Sequence, residues 1–473
     1  MLEKIVASAS TSTVQQGSGA KRKLEALPNL RSAYDEVITE YIDKEYISPA
    51  HSDDSNPLVL YEFNRVCFGL KSSPYHALRT VQQLVSDDGS KYPRASEIAS
   101  NALYMDDIAF SVMKAEDGVA ASKELIDLFK TAQWDLVKWN SNSQTVLDSI
   151  PASHKRTKEV EFDKSMQHKI LGLHWSTQSD YFYFEVAPRE QDKCTKRTIL
   201  STIARLWDIM GFVAPTILYA KLLIKQLWQL GIDWDDEPPP HINKIWRQFC
   251  HELPLLNNFK IPRHVGVVED CVVTLVGFSD ASELAYGGVV YLHVQSASGN
   301  TVQLVCSKSK VAPSQPLTIA RLELCGIVLL SKLLRTVLNN YAGCFAVNVC
   351  DFTDSKVALY WIKSSPHRWQ TFVANRVVQV TDNIAADHFH HVSGVENPAD
   401  CLSRGVTPQK LISHPLWLKG PPWLAMDPSQ WPINKESEVQ SIEDIPERKI
   451  LAHPVTTPAQ DCAIYNLAQR VSS

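Results

Sequence analysis

Between Cys271 and Gly405 the sequence carries a pattern that few architectures accept. Three β-rich runs, CVVTLVGFSDAS, YGGVVYLHVQ and TVQLVCSKSK, follow one another, and SASGN supplies the turn between the last two. They predict a sheet that opens as an antiparallel meander. A long, largely apolar helix follows at Thr318–Leu338, then a strand at Phe345–Ser355, helices at Ser355–Ser364 and Arg368–Ile384, a strand at His388–Gly394, and a last helix in NPADCLSRG. Strands first and helix–strand alternation afterwards predict an α/β unit beginning near Val265.

Acidic residues stand at the ends of these elements. Asp280 ends the first strand, Glu323 lies in the long helix, Asp354 ends the fourth strand, and Asp400 begins the last helix. Strand ends and helix faces of one sheet can converge, and four carboxylates without His or Cys suit hard, oxygen-liganded ions such as Mg²⁺. Two such ions about 4 Å apart can hold the attacking water and the leaving oxygen of a phosphodiester displacement. Taken singly, each acid reads as a helix cap or a solvated surface carboxylate. Their order, element types and local sequence together argue otherwise.

FSDAS, ARLELCG, FTDS and NPADCLSR resemble, in that order, the four acidic motifs of ribonuclease H domains attached to retroelement reverse transcriptases, over about Val272 to Gly405. The resemblance implies a ribonuclease H-like mixed sheet with helices. Asp280, Glu323, Asp354 and Asp400 would ligate two Mg²⁺ ions, with Mn²⁺ as a substitute, to cut the RNA of an RNA–DNA hybrid. Some members of this fold carry a mobile histidine in the loop before the last acid. GVENPAD has none, and His390 and His391, which precede it, are assigned to strand structure.

Upstream, LYMDDIAFSV resembles the catalytic hairpin of reverse transcriptases, with Asp106 and Asp107 at its tip. VCFGLKSSPYHA resembles the segment before that hairpin, and DLVKWNSN and KILGLHW the segments after it. The run from Thr195 to Asp236 resembles the linker of Bel/Pao-class long-terminal-repeat retrotransposons, so the chain is identified as similar to a fragment of that Pol polyprotein from about Leu24 to Leu424. Asp106 is then the expected polymerase metal ligand. Lys138 would act as an acid toward pyrophosphate, with a surface lysine beside Trp139 as the alternative. Gly69 and Ser73 would face template or primer, with plain turn geometry as the alternative, and Lys196 and Arg197 would contact phosphate, with a solvated helix face as the alternative. The family's fingers region and its first catalytic aspartate do not fit into the roughly twelve residues between Ser48 and Tyr61, where Asp53 and Asp54 are the acids available.

The fold class expected is multidomain α+β and α/β: a truncated reverse-transcriptase palm, a helical thumb or linker, and the ribonuclease H-like unit. Boundaries are placed at 1–25 (flexible leader), 26–155 (reverse-transcriptase remnant), 156–262 (thumb or connection), 263–410 (ribonuclease H-like) and 411–473, a loosely ordered Pro/Trp tail approaching an integrase. A net charge of -5 confines any nucleic-acid surface to a local basic face. Ten scattered cysteines without a C-x-x-C pair suggest neither zinc nor a disulfide framework, and a reducing cytoplasmic or nuclear setting is expected. No long apolar run suggests a membrane partner. Two functions follow: a metal-dependent ribonuclease H with polymerase activity lost, or a catalytically inactive nucleic-acid-binding or domesticated remnant.

Overall fold

A computed structural model describes residues 28–43, 45–49, 61–64, 72–155, 169–170, 173–187, 193–341, 345–434 and 445–449. The chain divides into two compact units, Met1–Glu159 and Val160–Ser473. No described helix is long and apolar enough to cross a membrane.

The first unit begins with the helix Pro28–Asp43, followed by a short antiparallel ladder between Ile47–Pro49 and Tyr61–Phe63. Its core is built by helices Ser73–Asp88, Pro93–Asn101 and Ala115–Thr131. The last of these has Glu116 and Asp117 in its first turn and Lys130 in its last, matching the helix dipole at both ends. Its Ala121, Leu125, Leu128 and Phe129, at helical spacing, bury against Val81, Leu84, Ala95 and Ala99. The strands Leu103–Tyr104 and Asp107–Ile108 pair as the expected hairpin, with Met105 in the left-handed region at φ 57° within its turn.

The second unit contains a mixed five-stranded sheet: β1 (Val272–Ala281), β2 (Ala285–Ser296), β3 (Gly299–Val311), β4 (Val347–Thr353) and β5 (Phe389–His391). Its spatial order is β3-β2-β1-β4-β5. The first three strands form the antiparallel meander; β4 runs parallel to β1, and β5 parallel to β4.

Side chains alternate across this sheet, and both faces are covered. Val273 and Leu275 of β1, with Val290 and Leu292 of β2, join a core with helices α1 (Ile319–Tyr341), α2 (Lys356–Lys363) and α3 (Thr371–Thr381). Val276 and Phe278, with Val289 and Tyr291, join the opposite core. There they meet Phe212, Trp246 and Phe249 from the segment expected as a thumb, and Trp417, Leu424 and Trp431 from the segment expected as a loose tail. Neither segment stands apart from the sheet. Trp417 is fully buried, its Nε1 donating to the Phe212 carbonyl at 2.8 Å, and the Tyr291 hydroxyl donates to the Trp417 carbonyl at 2.8 Å. The tail reads as irregular because its burial comes from turns and single aromatic anchors, which leave no helical or strand period in the sequence.

The edge of the sheet is covered as well. Two helices, Lys196–Arg205 and Ala214–Gln229, are joined by a turn in which the Asp208 carboxylate accepts from Phe212 N–H at 2.7 Å and Val213 N–H at 2.8 Å. Gly211, at φ 77°, lies so close to β3 that a Cβ would fall 1.9 Å from the Ser307 carbonyl oxygen. The Ser307 N–H donates to the Met210 carbonyl at 2.9 Å, so this turn occupies an edge strand that would otherwise be open to pairing. Farther along the chain, Glu447 makes a bidentate pair with Arg321 at 2.7 and 2.9 Å and fastens the segment Ile445–Lys449 onto α1.

Packing of the tail predicts that Trp417→Ala destabilises the protein by about 3–5 kcal/mol, the usual cost of truncating a buried aromatic. Urea unfolding measures it. A tail outside the cooperative core would give a change of less than about 0.5 kcal/mol.

Candidate active site

The register of β4 on β1 sets Thr353 opposite Ser279. One residue beyond each stand Asp354 and Asp280, so parallel pairing alone brings these two carboxylates together. Glu323 comes from the first turns of α1. That helix lies close to the end of β1, and a Cβ on its Gly326 would sit 3.1 Å from the Asp280 carbonyl oxygen. Asp280, Glu323 and Asp354 each offer one carboxylate oxygen, and these oxygens all lie within 4.8 Å of one another.

Burial and mutual repulsion act in the same direction on this group. Desolvation first, and then the charge of Asp354, pushes the Asp280 carboxyl up to about 7. Desolvation, followed by the charges of Asp280 and Asp354, pushes Glu323 up to about 9. Asp354 is raised too, chiefly by burial. The Ala281 N–H offsets part of the shift at Asp280 and Glu323. Among the described residues, Glu323 Oε2 and Asp354 Oδ1 are buried without a hydrogen-bond partner. Buried carboxylate oxygens that lack donors and crowd together call for a cation, and an all-oxygen donor set fits a hard divalent ion.

Asp400, the first residue of the short helix α4 (Asp400–Arg404), stands beside this cluster and outside it. Its charge is felt by Asp280 and Asp354, while its Oδ1 accepts from Arg404 Nε at 2.6 Å. Of the four expected acids, three converge and the fourth is adjacent.

Sequence reasoning weighed His391 only as a strand residue and passed over Asp351. His391 ends β5 opposite Thr353, and its charge holds the Asp354 carboxyl lower than burial alone would. The assignment of His390 and His391 to a strand agrees with β5; what sequence concealed was the parallel register that sets His391 opposite Thr353, the residue before Asp354. Asp351, fully buried in β4, fills the space left by the missing side chain of Gly277, where a Cβ would lie 2.4 Å from its Oδ1. Burial pushes its carboxyl well above the usual carboxylate range. A signal for it existed in the aspartate of FAVNVCDFTDS, which interrupts an otherwise apolar strand.

The remaining expected residues lie elsewhere. Asp106 and Asp107 are exposed on the hairpin of the first unit, and Lys138 is exposed at φ 62°. Ser73 is buried as the first residue of its helix, and Gly69, Asp53 and Asp54 fall outside the described residues. Lys196 is not placed to contact phosphate. It is 2% exposed, its ammonium donates to the Ile232 carbonyl, and it lies 3.8 Å from the centre of the Trp228 ring. Its aliphatic stem and charge are both used internally. Arg197 is exposed but paired with Asp235 at 2.7 and 2.9 Å.

Among known proteins, residues 195–355 match the family model described as Pao retrotransposon-like RNaseH-like domain. The matched stretch holds Asp280, Glu323 and Asp354, and it begins inside the helical segment expected as a thumb. No curated protein matches the sequence. Solved structures similar to part of it include the N-terminal RNase H domain of a Mycobacterium tuberculosis protein, fused to maltose binding protein, at 18% identity. That match covers 28% of this chain and 91% of that one, with a TM-score of 0.20. RNase H1 from the halophilic archaeon Halobacterium salinarum is another, at 14% identity, 30% and 96% coverage and a TM-score of 0.18. Across residues 195–355, then, this chain is similar to the Pao retrotransposon-like RNaseH-like domain.

Proposed function

We propose that the second unit hydrolyses the RNA strand of RNA–DNA hybrids with the help of divalent ions. The observation that carries this reading is the convergence of Asp280, Glu323 and Asp354, with two buried oxygens lacking partners, inside a stretch of the named family. Asp280, Glu323 and Asp354 would hold the ions, and Asp400 would complete the set. Bound Mg²⁺, or Mn²⁺ in its place, lowers the pKa of water and stabilises charge on phosphate oxygens. His391 acts electrostatically on Asp354 and lowers its carboxyl from where burial would place it. The 2′-hydroxyl is the feature by which the RNA strand is selected.

A second reading, nucleic-acid binding without cleavage, draws on the ion pair that engages Asp400 with Arg404. Binding with a steep salt dependence and no cutting in Mg²⁺ or Mn²⁺ would select it. The exposed Asp106–Asp107 pair of the first unit supplies at most two negative charges to a polymerase site that needs a further strand carboxylate, so DNA synthesis is taken to be lost.

Three outcomes are expected. The full chain with Mg²⁺ cuts the RNA of a labelled hybrid, and Asp354→Asn lowers the rate by more than about 100-fold, because even the outer partners of metal ligands are worth 10–100-fold. Cutting that survives this change removes the assignment. Primer extension on an RNA template is absent; extension that Asp106→Asn abolishes would show that another carboxylate completes the polymerase site.

The third outcome concerns pH. Carboxyls whose folded pKa is raised bind protons more tightly when folded, so their stabilising effect is full below the unfolded value and is lost as pH rises through the folded values of about 7 and about 9. Urea midpoints in EDTA should therefore fall between about pH 4 and pH 9. Asp354→Asn should flatten that fall, as should Mg²⁺. An equally steep profile in the variant would show that the acid cluster is not its source.

A further inference from the structure

Two hydrogen bonds cross between the strand that ends near Asp280 and the helix that begins at Asp400, and they bracket both acids. On one side Asn397, 2% exposed, donates through Nδ2 to the Ser279 carbonyl at 2.9 Å and accepts at Oδ1 from the Ala399 N–H at 3.1 Å. On the other side the Ser282 hydroxyl donates to the Ser403 carbonyl at 2.6 Å. Ser279 and Ser282 lie either side of Asp280, and Asn397 and Ser403 lie either side of Asp400. Between the two bonds the buried Ser403 hydroxyl, which donates to the Asp400 carbonyl at 3.1 Å, also adjoins the Asp280 carboxylate.

The chemistry at Asn397 is specific. Its amide donates at one end and accepts at the other without a charge; an ionised Asp cannot donate, and a Leu does neither. Docking of α4 does not depend on these bonds alone. Leu402 is fully buried against β2, where a Cβ on Gly287 would fall 2.4 Å from the Leu402 Cβ, and Cys401 is buried beside it. Apolar packing therefore holds the body of the helix, and the hydrogen bonds set where its first residue sits.

We propose that Asn397 and Ser282 are positioning residues that fix Asp400 relative to Asp280 and so set the affinity for the ion that Asp400 helps to hold. This rests on reading the cluster as a two-ion site. The test is calorimetric titration of the full chain with Mg²⁺ alone. Asp400→Asn identifies the binding component that depends on Asp400. Asn397→Ala and Ser282→Ala should weaken that same component about tenfold and leave the other unchanged, as expected for outer partners of a ligand. Ser282→Thr, which keeps the hydroxyl, should behave as wild type.

Two patterns overturn the proposal: both components unchanged, or both weakened together as from general loosening. A wild-type titration without a component sensitive to Asp400→Asn overturns it as well. Should Asn397→Ala fail to fold, Ser282→Ala decides alone, since it removes one hydroxyl. Hybrid cleavage measured in parallel separates the two ideas. A wild type that shows both components but does not cut removes the ribonuclease reading and leaves the clamp standing; one that cuts while the variants bind normally removes only the clamp.

Discussion

Parallel pairing of β4 beside β1 sets the position of Asp354 against Asp280, and the rest of the second unit supports that pairing. A parallel strand cannot be reached by a tight turn, so the chain must cross over, and α1 is the crossover. The same helix delivers Glu323 to the strand ends. One topological requirement thus supplies all three converging carboxylates, and small residues allow the approach: Gly326 on the helix and Gly277 beneath Asp351 and Leu330.

Such a cluster is unfavourable where it stands. Its carboxyls are desolvated and mutually repelling, and two of their oxygens lack partners. What holds it is the sheet, buried on both faces by two separate cores that interleave along every long strand. The aromatic anchors of 415–434 and the helices after Lys196 are part of that support and belong to the scaffold of the site, although they contribute no carboxylate to it. Unfavourable local clustering of this kind is sustained by packing elsewhere.

Lys196 and Asp400 illustrate how environment decides the use of a charged side chain. Lys196 carries the charge expected of a phosphate contact, yet Trp228 and the Ile232 carbonyl enclose it. Asp400 lies one short helix from the cluster and is engaged by a neighbour four residues along its own chain. In both cases spacing in the sequence was right about the element and silent about the direction of the side chain.

Sequence by itself determined the order of strands and helices in the second unit, the meander, and the acids at element ends, because hydrophobic period and turn chemistry are local properties. The motifs FSDAS, ARLELCG and FTDS pointed to a ribonuclease H-like domain and the run from Thr195 to Asp236 to the Bel/Pao class, and the match over 195–355 agrees with both. Tertiary structure alone decided which acids meet, that the charge of His391 acts on Asp354, that Asp351 fills the space above a glycine, and that the Pro/Trp segment is core. Those outcomes depend on strand register and on contacts between residues more than a hundred positions apart, such as Trp417 with Phe212, and no local period records them.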